Sequence, residues 1–423
     1  MLFKEKEIKI AVIGLGYVGL PLAIELAKNF KVFGYDIKKK RVEDIICNLD
    51  KNDEVDTKKL KKTKAFFSFK ENILENANIF IITVPTEVDK NNLPDLSLLK
   101  DSTKTVSKYL KKKSIIIYES TVYPGCTEEV CLPILKRNRK FKYNKNFFIG
   151  YSPERINPGD KKRNISNISK VVSGSSERSL EQIKFIYSKI VKRGVYAAPS
   201  IKIAEAAKAI ENTQRDLNIG FMNELYMFFN KINIPTDEVL KAAGTKWNFL
   251  NFSPGLVGGH CIGIDPYYLI KKFKEVNINP NIILSGRKTN NNFHEYIAEK
   301  AIKIIKKKRL KKRILILGYS FKENCKDYRN TRVNYLIKYF RKKKYDINIH
   351  DPYILENIEN FPYKKSAIYN LNRYKNKFDL IILAVPHKAY LKSQNKIINM
   401  LSPKGYLYDF KSTFRKNKRI IQN

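Results

Sequence analysis

Three groups of residues in this chain have types and spacings that could do chemistry. The first is Gly14-x-Gly16-x-x-Gly19, which follows the apolar run Ile8 to Ile13 directly. In such a run the first glycine permits a tight turn and the second lets backbone approach a pyrophosphate. The third allows close helix–strand packing, and the helix N-terminus faces the negative charge. Asp36 ends the next apolar run, about 20 residues on, where an acid meets the ribose hydroxyls of a dinucleotide. An acid there repels a 2′-phosphate and favours NAD over NADP. The basic run Lys38 to Arg41 softens that preference, although most of its lysines read as the solvated start of a helix.

The second group is Cys261 in the loop Gly258-Gly-His-Cys-Ile-Gly263. A thiolate is a strong nucleophile and a competent leaving group, and its ordinary pKa of ~8.5 falls near a cation. A lone cysteine is equally a small buried thiol. The third group is Lys208 and Asn212, which share one face of a helix at i, i+4. A lysine there stabilises developing oxyanion charge or holds a water, and the amide donates a second hydrogen bond. The same spacing also occurs on solvated helix surface. Five cysteines (Cys47, Cys126, Cys131, Cys261, Cys325) form no Cys-x-x-Cys pair and no cluster with zinc-ligand spacing, so no metal site is expected.

The elements that must position these residues follow from periodicity. Ile8 to Ile13 reads as a buried strand, Leu20 to Asn29 as a helix and Lys31 to Asp36 as a second strand. Ile79 to Val84, Ser114 to Tyr118 and Phe147 to Gly150 read as further strands with helical stretches between. Strands separated by helices imply a parallel sheet covered on both faces. From about Ser200 the pattern becomes helical, and Ile201 to Ile232 predicts one helix about 45 Å long. Alternation resumes with strands at Arg313 to Gly318, Tyr345 to His350 and Leu380 to Val385, and a helix at Asn330 to Lys343. The expected fold is therefore α/β, two Rossmann-like doubly wound lobes joined by a helical middle, with boundaries at 1–199, 200–306 and 307–423. The second lobe starts strand–Gly at Ile314 to Gly318 but lacks a Gly-x-Gly-x-x-Gly, which makes it a poor second dinucleotide site.

At 423 residues the chain is too long for one ordinary core, and its 43% apolar content suffices for two or three. No window reaches the ~18 uninterrupted apolar residues of a membrane span. The charged start predicts no signal peptide, which leaves the cytoplasm as the expected compartment. The formal charge is +41, from 82 Lys+Arg against 41 Asp+Glu. That excess can mark a nucleic-acid binder, but the lysines are spread in short runs along the whole chain. Together with the abundant Ile, Asn, Tyr and Phe they suggest A/T-rich coding, and no specific nucleic-acid partner is expected. The field attracts anionic ligands such as nucleotides.

Gly14-Leu-Gly-Tyr-Val-Gly-Leu-Pro21, Glu119-Ser-Thr-Val-Tyr-Pro-Gly125, Ser152-Pro-Glu-Arg155, Glu205-Ala-Ala-Lys-Ala-Ile-Glu-Asn212 and Gly258-Gly-His-Cys261 stand in order across nearly the whole chain. Together they resemble the UDP-glucose/GDP-mannose dehydrogenase family. The resemblance implies an N-terminal NAD-binding Rossmann domain, a central helical dimerisation domain and a C-terminal UDP-binding domain. It implies a homodimer or higher homo-oligomer, and a four-electron oxidation through a cysteine thiohemiacetal and thioester.

The same resemblance implies the remaining site residues. Tyr17, Val18, Arg41, Thr86 and Thr121 would meet the cofactor beside the three glycines and Asp36, and Arg329 would reach it from the C-terminal lobe. Glu154 would serve as, or position, the base for thioester hydrolysis, and Asp265 would orient the water. Arg155, Gly258, Lys322 and Arg287 would join Lys208, Asn212 and Glu154 in contacting substrate, Arg287 from a neighbouring subunit. In the UDP-glucose branch a lysine stands where Ile264 is here. The continuation Asp265-Pro-Tyr-Tyr268 resembles bacterial UDP-N-acetylhexosamine dehydrogenases of polysaccharide pathways. That favours UDP-N-acetylglucosamine, then the galactosamine isomer, then the mannosamine isomer. Two other readings compete: a two-electron β-hydroxyacid dehydrogenase, which has no use for Cys261 or a second lobe, and a basic nucleic-acid binder on a retired scaffold, which has no use for Lys208, Asn212 and Asp265.

Overall fold

The computed structural model describes residues 1–52, 54–156, 164–354 and 361–422. Continuous apolar runs become strands buried on both faces, as parallel sheets require. The N-terminal sheet has eight strands: β1 (Lys9–Ile13), β2 (Lys31–Tyr35), β3 (Phe66–Ser68), β4 (Ile79–Ile82), β5 (Ser114–Tyr118), β6 (Phe147–Tyr151), β7 (Lys170–Gly174) and β8 (Val195–Ala197). Their spatial order is β8-β7-β6-β5-β4-β1-β2-β3. Every residue of β4 and β5 is buried.

One pairing departs from the expected parallel sheet: β6 and β7 run antiparallel, with Gly150 opposite Gly174 and Tyr151 opposite Ser173. A parallel pair needs a crossover, usually a helix. Among the described residues between β6 and β7 only the single turn Ile165–Asn167 is helical, so the chain returns beside its own strand.

The second sheet holds β9 (Arg313–Leu317), β10 (Asp346–His350), β11 (Phe378–Leu383), β12 (Leu401–Tyr408) and β13 (Ile420–Ile421), in the order β10-β9-β11-β12-β13 and all parallel. The helices that matter for the site are α1 (Gly19–Leu26), α2 (Lys39–Ile46), α3 (Ile201–Lys231), α4 (Thr236–Ala243), α5 (Asp265–Glu275), α6 (Asn281–Lys307) and α7 (Val333–Lys342). The long helix of the sequence reading is α3, with 31 residues. It carries no proline, and its one glycine, Gly220, faces Gly286 of α6. A Cβ on Gly220 would stand 3.2 Å from the Gly286 carbonyl oxygen. Two helices pass closely there because neither has a side chain in the way.

By packing the chain divides into two compact units, residues Met1–Glu211 with Tyr267–Asn279, and Asn212–Pro266 with Pro280–Asn423. The division runs through α3 between Glu211 and Asn212, and the helical middle of the sequence reading is shared between the units. Among the described residues no helix is long and apolar enough to cross a membrane, and no group of His, Cys, Asp and Glu could hold a metal ion.

Candidate functional site

In the first unit β1 delivers the glycine turn. Gly14 has φ +92°, and a Cβ on Gly19 would lie 1.8 Å from the Gly14 carbonyl oxygen. No other residue fits at Gly19. Nothing lies within 4 Å of a Cβ placed on Gly16, so that position stays open to a ligand. Val18 precedes the first turn of α1 and, like Tyr17, is half-buried. Asp36 accepts the Leu15 N–H at 2.8 Å on one oxygen and the Lys38 N–H at 2.9 Å on the other. The acid that would meet a ribose therefore also fixes the glycine turn.

Lys38, Lys39 and Lys40 are exposed, as a solvated helix start requires. Arg41 turns inward: its Nε donates to the Leu15 carbonyl at 2.8 Å and its Nη1 to Asp50 at 2.8 Å. It braces the turn from below. Thr86 donates to the Thr121 carbonyl at 2.7 Å, tying together the loops after β4 and β5. Open space at Gly16, a carboxylate at the end of β2 and the N-terminus of α1 suit a dinucleotide with a free ribose diol.

The Ser-Pro-Glu-Arg turn follows β6. Glu154 is buried, and its carboxylate is heavily engaged. One oxygen accepts the Arg155 and Ile156 N–H groups at 2.7 and 2.6 Å, and the other pairs with Lys170 at 2.9 Å. Burial pushes its pKa up, but Lys170 and the two N–H donors outweigh that and hold it below the usual range. A carboxylate so held is a poor proton acceptor, which weights the sequence alternative of a positioning role. Arg155 donates to Glu211 of α3 at 2.9 Å and to the Ser169 carbonyl at 3.1 Å. Lys208 is buried on α3, one turn before Asn212. Glu205, on the same helix, accepts the Gly125 and Thr127 N–H groups and so anchors the loop that carries Thr121.

In the second unit Cys261 is exposed in a tight turn. Its carbonyl accepts the Ile264 and Asp265 N–H groups at 3.0 and 2.8 Å, and α5 starts at Asp265. The buried Asp265 carboxylate accepts the Asn212 amide at 2.5 Å. Two of the predicted site residues thus meet within one unit, beside the turn of a third. A Cβ on Gly258 would stand 2.6 Å from the Asn330 carbonyl oxygen, and one on Gly259 (φ +84°) would strike the Phe321 ring at 2.5 Å. The glycines that precede Cys261 therefore let its loop lie against residues 321–332, the stretch that carries Lys322 and Arg329. Arg329 pairs with Asp327, Nη2 to Oδ2 at 2.7 Å.

Arg287 is 2% exposed in the single chain, as buried as Asp265. Its Nη1 pairs with the fully buried Asp216 and its Nη2 donates to Asn291 at 2.5 Å. The reason is helix geometry: Arg287 points from α6 at α3, and a guanidinium at that crossing needs a buried acid.

Residues 8–191 match the NAD binding domain of the UDP-glucose/GDP-mannose dehydrogenase family, residues 202–292 its central domain and residues 315–416 its UDP binding domain. The chain belongs to this family. It is 46% identical over 418 residues to a UDP-N-acetyl-D-glucosamine 6-dehydrogenase of Salmonella typhi, covering 97% of each chain. It is 44% identical over 422 residues to one from Pseudomonas aeruginosa, covering 99% of this chain and 100% of the other. The same fold is seen in the solved UDP-D-ManNAc dehydrogenase of Pyrococcus horikoshii, at a TM-score of 0.88, 26% identity and 98% coverage of both chains. As a family member this chain is an NAD-dependent nucleotide-sugar dehydrogenase.

Sequence reading missed two features of this dehydrogenase. The first is a cavity of about 410 Å³ in the second unit, with Tyr226, Leu240, Lys241, Phe252, Phe410 and Lys411 in its wall. Its parts come from four separated segments, and only contact brings them together. The second is the polar support of the Cys261 loop. Asn223 of α3 holds Gly255 at both its N–H (2.8 Å) and its carbonyl (3.1 Å) and donates to Asn290 of α6 at 2.8 Å. Asn290 donates in turn to Asp216 at 2.8 Å, the partner of Arg287. Asp216 and Asn223 lie two turns apart on α3, and Arg287 and Asn290 one turn apart on α6. Polar residues repeating on one helical face were the signal available.

Proposed function

We propose that this enzyme oxidises the C6 hydroxymethyl of a UDP-N-acetylhexosamine, first UDP-N-acetylglucosamine and then UDP-N-acetylgalactosamine, to the uronic acid, for surface polysaccharide biosynthesis. The observation that carries the reading is the exposed Cys261 whose turn is fixed by Asp265, which is itself held by Asn212 on the long helix. The names of the relatives from Salmonella and Pseudomonas support the substrate class. Gly14, Gly16, Gly19 and Asp36 would hold NAD, and two NAD molecules in succession would supply the oxidant for the two oxidations.

In the first oxidation the C6 alcohol loses a hydride and its hydroxyl proton and becomes an aldehyde. Cys261 adds its thiolate to that carbon and forms the C–S bond of a thiohemiacetal as the oxygen takes up a proton. Loss of that proton and of a second hydride leaves a thioester, and water then displaces the thiolate to give the acid. Lys208 and Asn212 donate to the oxygen on which charge develops. Asp265 orients the water, and Glu154 positions the base for thioester hydrolysis. The diphosphate and base occupy the cavity beside the Cys261 loop. Its rings accept the uracil, and Lys241 and Lys411 face the phosphates. We assign 1–199 to cofactor binding, 200–306 to dimerisation and catalysis, and 307–423 to the UDP-sugar, with the reaction in the cytoplasm.

Ile203, Ile210, Phe221 and Phe228 are large, exposed and spaced by seven or about eleven residues, so they line one edge of α3. A second copy of the chain covers that stripe, and sedimentation should give a dimer; a monomer would refute this part.

The experiment for the reaction is NADH formation at 340 nm with UDP-glucose and the three UDP-N-acetylhexosamines. Two NADH per sugar with an acetylated substrate is the expected result. Activity with UDP-glucose alone would keep the mechanism and overturn the substrate assignment. Silence across the panel, with NAD still binding, would overturn the reaction.

A further inference from the structure

Lys170 opens β7 and is 5% exposed. A buried ammonium is costly unless paired, and this one lies between two buried carboxylates, 2.8 Å from Glu119 and 2.9 Å from Glu154. Tyr187 donates its hydroxyl to the other oxygen of Glu119. The four side chains come from four segments: the end of β5, the loop after β6, β7 and the helix Glu177–Ser188. Among the described residues the groups facing the cluster are these four together with the hydroxyl of Ser152, which bonds Tyr187, and the N–H groups of Arg155 and Ile156. One cation among two acids leaves a net negative charge if both acids are ionised. Burial, opposed by Lys170 and reinforced by Glu154, pushes Glu119 up to about 7, whereas Glu154 stays low.

We propose that Lys170 is the positioning residue of this site: it holds Glu154 ionised and in one rotamer, and Glu119 with Tyr187 clamps the lysine from behind. The inference rests on the reading that Glu154 serves the reaction. Glu119 is the member of the cluster that exchanges a proton near neutral pH, so the Ser-Pro-Glu-Arg turn keeps its charge while its support titrates.

The test is the pH profile of kcat for the NAD-loaded enzyme with its UDP-sugar, in Lys170→Met, Glu119→Gln and Glu154→Gln, with thermal unfolding as the control for folding. Lys170→Met leaves two acids facing each other and should move the acid limb of the profile up by at least one pH unit. Glu119→Gln makes the neutral form of the support permanent, so it should leave the acid limb in place and flatten the pH dependence of thermal unfolding between about pH 4.5 and 7. A purely structural role lowers the stability of Lys170→Met without moving its limb, and that outcome overturns the proposal. Should Lys170→Met fail to fold, Glu119→Gln decides alone: a limb that moves, or an unaltered pH dependence of unfolding, refutes it. Full kcat in Glu154→Gln would instead refute the reading of Glu154 in the reaction, a separate failure.

Discussion

Replacing Asp216 by alanine is the most informative perturbation of the support beneath the nucleophile. Asp216 is fully buried and Arg287 is 2% exposed, so the substitution strands a guanidinium that cannot give up its proton. Breaking a buried pair from one side costs ~3–5 kcal/mol. The Asn290 amide keeps the Asp216 backbone carbonyl at 2.8 Å and loses only the side-chain acceptor, which places the total near ~4 kcal/mol. For a unit the size of residues 212–266 with 280–423, each kcal/mol lowers Tm by ~2–4 °C, so about 10 °C is expected.

Arg287→Met should cost less. The acid left behind can take a proton, and burial, although opposed by Arg287, already pushes its pKa up. The double variant Asp216→Leu/Arg287→Met should recover much of the loss, because apolar groups of similar volume replace a buried pair well. Differential scanning calorimetry with steady-state kinetics reads both effects. A wild-type Tm in Asp216→Ala would refute the structural assignment, and an Arg287→Met enzyme with raised KM for the UDP-sugar and unchanged Tm would favour a substrate contact instead.

Cys261→Ser should abolish acid formation, because a serine forms no comparable thioester; undiminished uronate by mass spectrometry would exclude Cys261 as nucleophile. Asp36→Ala removes charge-assisted hydrogen bonds worth ~1.5–3 kcal/mol each. NAD affinity by calorimetry should fall at least tenfold and NADP affinity much less; equal losses would remove Asp36 from the ribose. Burial, despite the Thr127 and Gly125 donors, raises Glu205 to about 7. A raised acid contributes stability below its unfolded value near 4.5 that is lost as pH climbs toward 7. Glu205→Gln should therefore flatten the dependence of unfolding free energy on pH across that window, and an unaltered slope would show that Glu205 stays ionised throughout.

Much of the site was legible because its residues are local in sequence. Gly14, Gly16 and Gly19 must follow a strand and open a helix to work at all, and they do. Lys208 and Asn212 share a helical face by period alone. The antiparallel β6–β7 pair was not legible, since an apolar run carries no sign of its direction. The pairing of Arg287 with Asp216 was not legible either, since only the α3–α6 crossing brings the two together.

The sequence by itself determined the family, the dinucleotide turn, the long helix and the nucleophile's loop, because each depends on spacings within one segment. Tertiary structure decided which charges are free to act. Glu154 is bound by a lysine from a neighbouring strand, Asp265 by an amide some fifty residues earlier, and Gly255 by asparagine from α3. A buried polar group must find a partner wherever the fold puts one, and partners so distant along the chain leave no spacing to read.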